Sequence, residues 1–310
     1  MPNARSVIPL SMIGAATYVS IVERGWFRLR RLELPLLRPG RPPFTILHIS
    51  DLHLTPRRRR LIRWVRALGR LEPDLVVNTG DSIAHPASVP AFAEAVGPLL
   101  ERPGVFVYGS NDLYAPRPEN PLAYLRRSAP SDFHRWVRPD LPWEELGARL
   151  RAAGWLDLNN AAERIEAGGL SVEVRGIHDS HIAQDDYARV AGPADPGADV
   201  RLGVMHSPEP RNLDAFTADG FDLLLAGHTH GGQVRVPFAG PIVTNCGIDR
   251  ERARGLHRNG AAWLHVSAGL GTSPYLPVRF SCPPEATLLT LVPRDGQGAP
   301  RRPHGSGTPI

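Results

Sequence analysis

Cysteine is scarce in this sequence: Cys246 and Cys282 are the only two among 310 residues. Two thiols allow a single disulfide but not a disulfide framework, so the small disulfide-stapled fold classes are excluded. We expect both to be semi-buried thiols of no special role. Two cysteines do not indicate whether the protein resides in an oxidising or a reducing compartment.

The sequence also lacks a long apolar run of the roughly 20 residues that a helix needs to cross a bilayer. The longest run, residues 7–22, is shorter and contains Pro9 and Gly14. It has neither a strongly basic start nor an A-x-A cleavage signal, which argues against a signal peptide. Residues 23–31 mix Trp26 and Phe27 with arginines, a composition typical of a membrane interface. We therefore predict that residues 1–43 form an N-terminal segment. It holds either a membrane-associated helix or a helix packed on the domain, so the chain is cytoplasmic or membrane-associated.

Aromatic residues make up only 7% of the chain, and no stretch resembles a nucleic-acid groove with stacking aromatics. The net charge is +5 and the pI about 9.7, which suits a polyanion such as a phosphate ester, a nucleic acid or an acidic lipid. A nuclease is therefore an alternative, but a nucleic-acid partner is the least supported. The length allows one large α/β domain or two small ones.

The first half of the chain alternates apolar strands with amphipathic helices. Each predicted strand ends in polar residues: Asp51 and His53, then Asp81, then Asn111. Open parallel sheets bind ligands beyond the carboxyl ends of their strands, so these residues are expected at one edge. The predicted strands are 44–49, 74–77 and 105–108, and the predicted helices are 57–71 and about 91–100.

The second half is richer in predicted strands. His206 follows one of them, and His228 and His230 follow the next, within Gly227-His-Thr-His-Gly-Gly232. Residues 115–150 interrupt the pattern with many prolines and are predicted to be an insertion, either a lid beside the site or a surface excursion with its own small core. Residues 294–310 are predicted to be a disordered tail. The predicted strands are 170–177, 201–205, 222–226, 262–266 and 286–292.

Six of these strand-end residues offer the carboxylate and imidazole ligands of a divalent metal site. Such ligands without thiolates suit Mn, Fe, Zn or Co, and argue against copper(I) or a structural zinc site. Six are too many for one tetrahedral ion but fit two ions about 3.5–4 Å apart, bridged by a carboxylate and a water. The six are Asp51, His53, Asp81, His206, His228 and His230.

In its order and strand-end context, this set resembles the calcineurin-like metallophosphoesterase family from about residue 44 to residue 292. The resemblance implies a four-layer α/β/β/α sandwich with a two-metal centre at one edge. It implies that Asp51, His53 and His230 hold one ion, that His206 and His228 hold the second, and that Asp81 bridges them. The His-Gly-Gly-Gln run from His230 is similar to a bacterial branch, in which some members are membrane-associated and some act on glycolipid or nucleotide-type phosphates.

One block departs from the family pattern. The family has Gly-Asn-His-Asp where this chain has Gly109-Ser110-Asn111-Asp112. Ser110 thus replaces a ligand asparagine, and Asn111 replaces the histidine that helps to protonate the leaving group. We predict that Asn111 is both a catalytic residue and a ligand of the second metal, because an amide oxygen is a better neutral ligand than a seryl hydroxyl.

Without this histidine, the family pattern does not identify the group that protonates the leaving group. His85, four residues after Asp81, is the replacement we predict, with His178 and His181 as further candidates that are otherwise loop histidines. The lost acid is expected to cost roughly 10²–10⁴-fold with a poor leaving group and less with a phenolate or phosphate. The arginines at 57–60 are interpreted either as a phosphate clamp or as a solvated helix face.

The sequence therefore predicts a hydrolase that cleaves a phosphomonoester, phosphodiester or pyrophosphate bond through a hydroxide bridging two divalent metals. Its expected partner is a phosphorylated small molecule or a phospholipid, with a membrane surface as a further partner. The alternative from another class is a catalytically impaired family member that binds a phosphorylated lipid or partner.

Overall fold

The computed structural model describes residues 18–117, 138–236 and 240–294. Two six-stranded sheets form its centre, and a two-stranded ribbon lies beside them. Short helices cover the outer faces of both sheets. The predicted mixture of parallel strands and helices in one α/β unit is confirmed.

The first sheet has the strand order β1-β14-β2-β3-β4-β5. β2, β3, β4 and β5 run parallel, whereas β14 pairs antiparallel with β2 and parallel with β1. The continuous apolar run of β2 is buried on both faces, as expected for a central strand. The strands are β1 (Arg28–Leu37), β2 (Phe44–Ile49), β3 (Leu75–Asn78), β4 (Gly104–Phe106), β5 (Leu156–Asp157) and β14 (Glu285–Pro293).

The second sheet has the order β12-β13-β9-β8-β7-β6, parallel from β13 to β7 with antiparallel strands at both edges. Its strands are β6 (Ala161–Ala167), β7 (Leu170–Gly176), β8 (Val200–Val204), β9 (Leu223–Ala226), β12 (Gly255–Asn259) and β13 (Ala262–Val266). The separate ribbon pairs β10 (Arg235–Val236) with β11 (Gly240–Pro241).

The layers follow from three apolar clusters. One cluster lies between the sheets and joins residues such as Val77 of β3 to Val204 of β8. A second packs the outer face of the first sheet against helices, and a third buries Phe216 on the outer face of the second. The four-layer α/β/β/α arrangement is therefore the observed one. The helices are α1 (Arg59–Ala67), α2 (Val89–Val96), α3 (Ser110–Leu113), α4 (Trp143–Ala152) and α5 (Pro210–Ala218).

Two segments that the sequence pattern sets apart contain elements of the packed fold. β1 lies inside the predicted N-terminal segment 1–43, because its alternate leucines are buried beside β14. α4 lies inside the predicted insertion 115–150, where Leu146 and Leu150 join the apolar cluster on the first sheet. The other predictions for these segments fall largely on residues 1–17, 118–137 and 295–310, which are outside the described residues. Among the described residues, none of the helices is long and apolar enough to span a membrane.

The loops that follow the parallel strands of both sheets lie at a common edge. Leu270 N donates to the Ser50 carbonyl oxygen at 3.1 Å, and Gly271 N donates to that of Asp51 at 2.6 Å. The loop after β13 is thereby joined to the loop after β2. The ends of both sheets consequently enclose one site.

A buried histidine pair connects the two sheets behind this edge. His48 of β2 and His265 of β13 face each other with their Nδ1 atoms 2.9 Å apart. Burial, then the charges of Arg30 and His257, lowers the pKa of His265 to about 3. Burial also lowers the pKa of His48 well below its ordinary value, and the neighbouring His265 adds to this. Both rings are therefore neutral in the folded protein.

This pair predicts acid-labile stability. Between about pH 6.5 and pH 3 the unfolded chain binds protons that the folded chain does not bind. The contribution of the pair to the free energy of unfolding is therefore complete above pH 6.5 and is lost as the pH falls through this window. In urea titrations, we expect His265→Gln to make the slope of unfolding free energy against pH shallower, by up to about 1.4 kcal/mol per pH unit. His85→Gln, at an exposed position, is the matched control. Equal slopes for wild type and His265→Gln would contradict this account.

Candidate metal centre

Five of the six predicted ligands adopt left-handed backbone conformations. Their φ values lie between 40° and 68° at Asp51, His53, Asp81, His228 and His230. Non-glycine residues rarely adopt such values, and they cluster at functional sites where surrounding contacts hold them. Here backbone hydrogen bonds join consecutive loops: Asp51 N donates to the Gly80 carbonyl oxygen and His53 N to that of Asp81, both at 2.9 Å.

Four of these residues place a ligand atom within 4.8 Å of one another: Asp51, His53, Asp81 and His230. The Nε2 atoms of His53 and His230 are 3.0 Å apart. His53 Nε2 lies 3.3 Å from Asp81 Oδ2, and His230 Nε2 lies 3.6 Å from Asp51 Oδ1. Two imidazole nitrogens and two carboxylates that face one point form a donor set for a divalent cation.

His206 extends this set on the other side of Asp81. Its Nδ1 donates to the Thr79 carbonyl oxygen at 2.6 Å, which turns Nε2 toward Asp81 Oδ1 at 3.5 Å. Nε2 is buried without a hydrogen-bond partner. A backbone carbonyl that fixes the far nitrogen is the usual support of a metal-binding histidine. A cation bound between His206 and Asp81 would satisfy the unpartnered atom.

His228 lies beside His206, with ring centroids 5.2 Å apart. Its backbone N donates to both carboxylate oxygens of Asp51 at 3.1 and 3.2 Å. Its Nε2 lies 3.1 Å from the Asn245 carbonyl oxygen. The six predicted ligands thus converge at one edge, and ion binding by them stays a prediction.

The charge balance of the site also favours a cation. Burial raises the pKa of Asp51. Burial acts in the same direction on Asp81, but the charges of His206 and His53 hold the pKa of that carboxyl well below its ordinary value. Burial would lower the pKa of His206, yet the carboxylates of Asp81 and Asp179 raise it well above the ordinary value. A proton on His206 therefore takes the place that a divalent cation would take, and metal binding would release it.

The Gly109–Asp112 block lies against Asp81. Asn111 donates twice to that carboxylate, from its backbone N to Oδ1 and from Nδ2 to Oδ2, both at 2.8 Å. Asn111 therefore lies beside Asp81, the predicted bridging residue, with its amide nitrogen engaged there, and metal ligation by Asn111 stays a prediction. Ser110 is buried, and its backbone N donates to Asp179 Oδ2 at 2.8 Å.

His85 lies on an exposed turn and is not part of the cluster of predicted ligands, so the structure lends its predicted catalytic role no support. Ile83 bridges Leu54, and Ala84 N donates to the Leu54 carbonyl oxygen, so both residues are buried. The chain then turns outward, and the exposed His85 ring accepts a hydrogen bond from Ala87 N at 3.0 Å. Spacing along the chain did not reveal this turn.

The two other candidate histidines occupy different places. His181 packs on the ring of His228 with centroids 4.6 Å apart. His178 packs on Tyr108 at 6.0 Å, and its Nδ1 accepts from Asp179 N. Asp179 holds this loop to the Ser110 loop, because its other oxygen accepts from His181 N at 2.9 Å. His181 is therefore the candidate that lies beside a predicted ligand.

A line of buried hydrogen bonds behind Asp51 was missed by the sequence analysis. Ser50 Oγ donates to Asp51 Oδ2 at 2.6 Å, and Thr79 Oγ1 donates to Ser50 Oγ at 2.7 Å. His48 Nε2 lies 2.9 Å from Thr79 Oγ1. Because Asp51 only accepts, the protons point toward it along the whole line, from His265 onward. A histidine in the otherwise apolar strand FTILHI was the signal available.

Arg279 was also missed. It is fully buried and donates to the backbone carbonyl oxygens of Ala268, Gly269 and Gly271 at 2.7–3.1 Å. The same Nη2 atom lies 3.4 Å from His230 Nδ1. Arg279 thus braces both the loop after β13 and a predicted ligand. Nothing in the local sequence distinguishes it from other loop arginines.

Gly109 gives a steric test of the site. A Cβ atom there would overlap Asp81 Oδ1 and lie 2.7 Å from His206 Nε2. We expect Gly109→Ala to reduce metal content and to lower kcat/KM by more than about 100-fold, since a displacement of about 1 Å costs that much. The measurements are metal analysis and kinetics on an activated phosphate diester. Gly97→Ala is the control, because its nearest neighbour is the flexible end of Arg66. Normal metal content and activity in Gly109→Ala would contradict the assignment.

Known proteins match this chain over most of its length. The calcineurin-like phosphoesterase family model matches residues 44–232. Phosphodiesterase YaeI of Escherichia coli (strain K12) is 30% identical over 282 residues, which cover 89% of this chain and 92% of that protein. The uncharacterized metallophosphoesterase YkuE of Bacillus subtilis (strain 168) is 27% identical and covers 84% of this chain and 83% of its own. UDP-2,3-diacylglucosamine pyrophosphatase LpxG of Chlamydia trachomatis serovar D is 26% identical and covers 80% and 83%. This chain therefore belongs to the calcineurin-like phosphoesterase family, and it is a hydrolase.

Proposed function

We propose that this hydrolase cleaves a phosphodiester or pyrophosphate bond with two divalent ions, drawn from Mn, Fe, Zn or Co. The observation that carries the proposal is the convergence of Asp51, His53, Asp81 and His230 with the unpartnered Nε2 of His206. Two relatives support the bond class, since one is named a phosphodiesterase and the other a pyrophosphatase. A phosphomonoester is the less favoured substrate.

Some residues of the site would hold the ions, and others orient the residues that hold them. Asp51, His53 and His230 would hold one ion, His206 and His228 the other, and Asp81 both. Bound divalent ions would act as Lewis acids on the phosphoryl oxygens and lower the pKa of water to near neutrality. The Thr79 carbonyl fixes the tautomer of His206, and Ser50 fixes the orientation of Asp51. These contacts keep the ligands in place before substrate arrives.

The identity of residue 111 narrows the range of leaving groups that the site would favour. Asn111 has no titratable group, and its amide is engaged with Asp81. Leaving groups that depart as stable anions, such as a nucleotide or another phosphate, need the least protonation. His181 is the imidazole placed beside the predicted ligand His228. The arrangement therefore favours activated diesters and pyrophosphates over alkyl monoesters.

Activity with metal reconstitution tests the proposal. We expect hydrolysis of a bis-aryl phosphate diester or a nucleotide pyrophosphate that is lost with a chelator and restored by manganese. Asp81→Asn and His228→Ala are expected to lower kcat by at least about 10³-fold, because each disturbs the charge that neutralises the phosphoryl group. His85→Ala is the matched histidine control and should keep wild-type rates, since His85 is exposed.

Two outcomes would refute the proposal. Full activity in both Asp81→Asn and His228→Ala would refute the site. The absence of stoichiometric metal and of turnover across the substrate panel would favour the alternative, a family member that binds a phosphorylated ligand without hydrolysing it.

Arg58 is the arginine of the 57–60 run that reaches toward the site. It donates to the Leu52 carbonyl oxygen at 3.4 Å, next to His53. Burial, then the charges of Arg24 and Arg279, lowers its pKa to about 10, so it stays charged at neutral pH. A partly desolvated guanidinium beside a phosphoryl site is suited to bind phosphate oxygens.

We expect Arg58→Gln to raise KM roughly tenfold and to change kcat little, since a charged hydrogen bond contributes about 1.5–3 kcal/mol to ground-state and transition-state binding alike. Steady-state kinetics on the same diester measures both constants. Arg63→Gln removes the same charge from the exposed side of α1. A fall in kcat at constant KM would assign Arg58 to the transition state instead.

A further inference from the structure

The exposed large apolar side chains of the described residues are confined to three segments. The N-terminal segment carries four of them, and the segments around β10–β11 and before Cys282 carry two each. They are Tyr18, Ile21, Val22, Trp26, Val236, Ile242, Tyr275 and Phe280, each between 38% and 65% exposed. We call these eight side chains the apolar rim. Large exposed apolar patches on a soluble domain mark interaction surfaces.

The three segments are joined to one another. Cys282 N donates to the buried Glu23 carboxylate at 2.6 Å, which ties the N-terminal segment to the third segment. Arg235 N donates to the Phe280 carbonyl oxygen at 2.9 Å, and Gln233 Nε2 to that of Leu276 at 2.9 Å. The apolar rim is therefore carried by three segments that are neighbours in the fold.

This region adjoins the metal centre. The second segment follows His230 directly along the chain through Gly231, Gly232 and Gln233. Cys282 Sγ lies 3.3 Å from the His230 carbonyl oxygen. Arg279, three residues before Cys282, reaches His230 Nδ1 at 3.4 Å. A surface that contacts the apolar rim would consequently lie close to the catalytic ligands.

Arginines flank the apolar side chains. The Arg28 guanidinium stacks on the exposed Trp26 ring at 4.1 Å, and Arg60 lies over Phe27 at 6.0 Å. A Cβ atom on Gly25 would lie 3.0 Å from Arg60 Nη1, so α1 approaches the N-terminal segment here. Arg24 lies in the same turn. An aromatic and aliphatic surface bordered by guanidinium groups matches the interface of an anionic bilayer.

The sequence before Tyr18 supports a lipid surface over a polar partner. Residues 7–17 carry no charged side chain, and the chain enters the described structure at the apolar rim. We propose that the apolar rim and its arginines dock on an anionic lipid bilayer, so that the site acts on phosphate at a lipid headgroup. This proposal rests on the proposed function for the reaction, but not for the docking.

Vesicle flotation of the full chain tests the docking without turnover. The probes are vesicles of phosphatidylcholine alone and of equal parts phosphatidylcholine and phosphatidylglycerol. We expect wild type to float with the anionic vesicles, less at high salt, and not with neutral ones. Asp81→Asn should float like wild type, which separates docking from catalysis. If Asp81→Asn floats and lacks activity, both proposals stand; if wild type is active but does not float, only the docking proposal fails.

Variants of the apolar rim and of its arginines complete the test. The double variant Tyr275→Ser/Phe280→Ser should lower vesicle partition by at least about tenfold, and Tyr275→Trp/Phe280→Trp should keep it. Arg24→Gln and Arg28→Gln should each lower partition roughly fivefold. Arg149→Gln and Arg189→Gln remove the same charge from other exposed positions and should change nothing. Equal partition of all variants would overturn the proposal, and so would a wild-type dimer that dissociates in Tyr275→Ser/Phe280→Ser, since a second copy would then cover the rim.

Discussion

Asp51 is a fully buried carboxylate to which both sheets contribute, and the geometry of the site depends on it. The first sheet positions it directly after β2, and Ser50 donates to it. The second sheet contributes the backbone N of His228. A buried carboxylate needs this compensation because losing water costs several kcal/mol. The hydrogen bonds that satisfy the Asp51 carboxylate therefore fix how the loops of the two sheets meet. The bond from His228 N also positions the loop that contains His228 and His230.

The left-handed conformations at the ligands follow from this meeting of loops. The five residues lie in three loops, after β2, β3 and β9, and their side chains converge at the sheet edge. Glycines next to them leave the required room: a Cβ at Gly227 would overlap Ser50 Oγ, and one at Gly269 would lie 2.6 Å from Asp51 Cβ. The strain of about 1–3 kcal/mol for such a residue is offset by the surrounding hydrogen bonds. Rigid placement of ligands is what a metal centre needs before ions bind.

The local sequence was enough to predict the strands whose apolar runs are buried, and the polar residues that follow them. The prediction for β2 matches residue for residue, and the six ligand candidates were all found from strand ends. Long-range pairing was not predictable in this way: β1 pairs with β14, whose residues lie more than 250 positions later. The exposure of His85 was not predictable for a related reason, because the bridge between Leu54 and Ile83 decides where the chain turns. Arg279 and the His48–His265 pair act across the sheets, and no local pattern encodes such contacts.

The Asn111 substitution is easier to understand from the structure than from the family pattern. A histidine at this position would bring a titratable group to the site, whereas Asn111 contributes two donors that hold Asp81 in one orientation. Asp112 secures the same loop by accepting from Gly109 N and Ser82 N. The block thus fixes the carboxylate of Asp81, the predicted bridging residue, and lacks the imidazole that the family resemblance implies as a proton donor. Under the proposed function, a site without this imidazole is best suited to leaving groups of low pKa, since general acid catalysis matters least for them. Under the two proposals together, a phosphate or nucleotide that leaves from a lipid headgroup has that property, so residue 111 and the apolar rim are compatible with the same class of substrate.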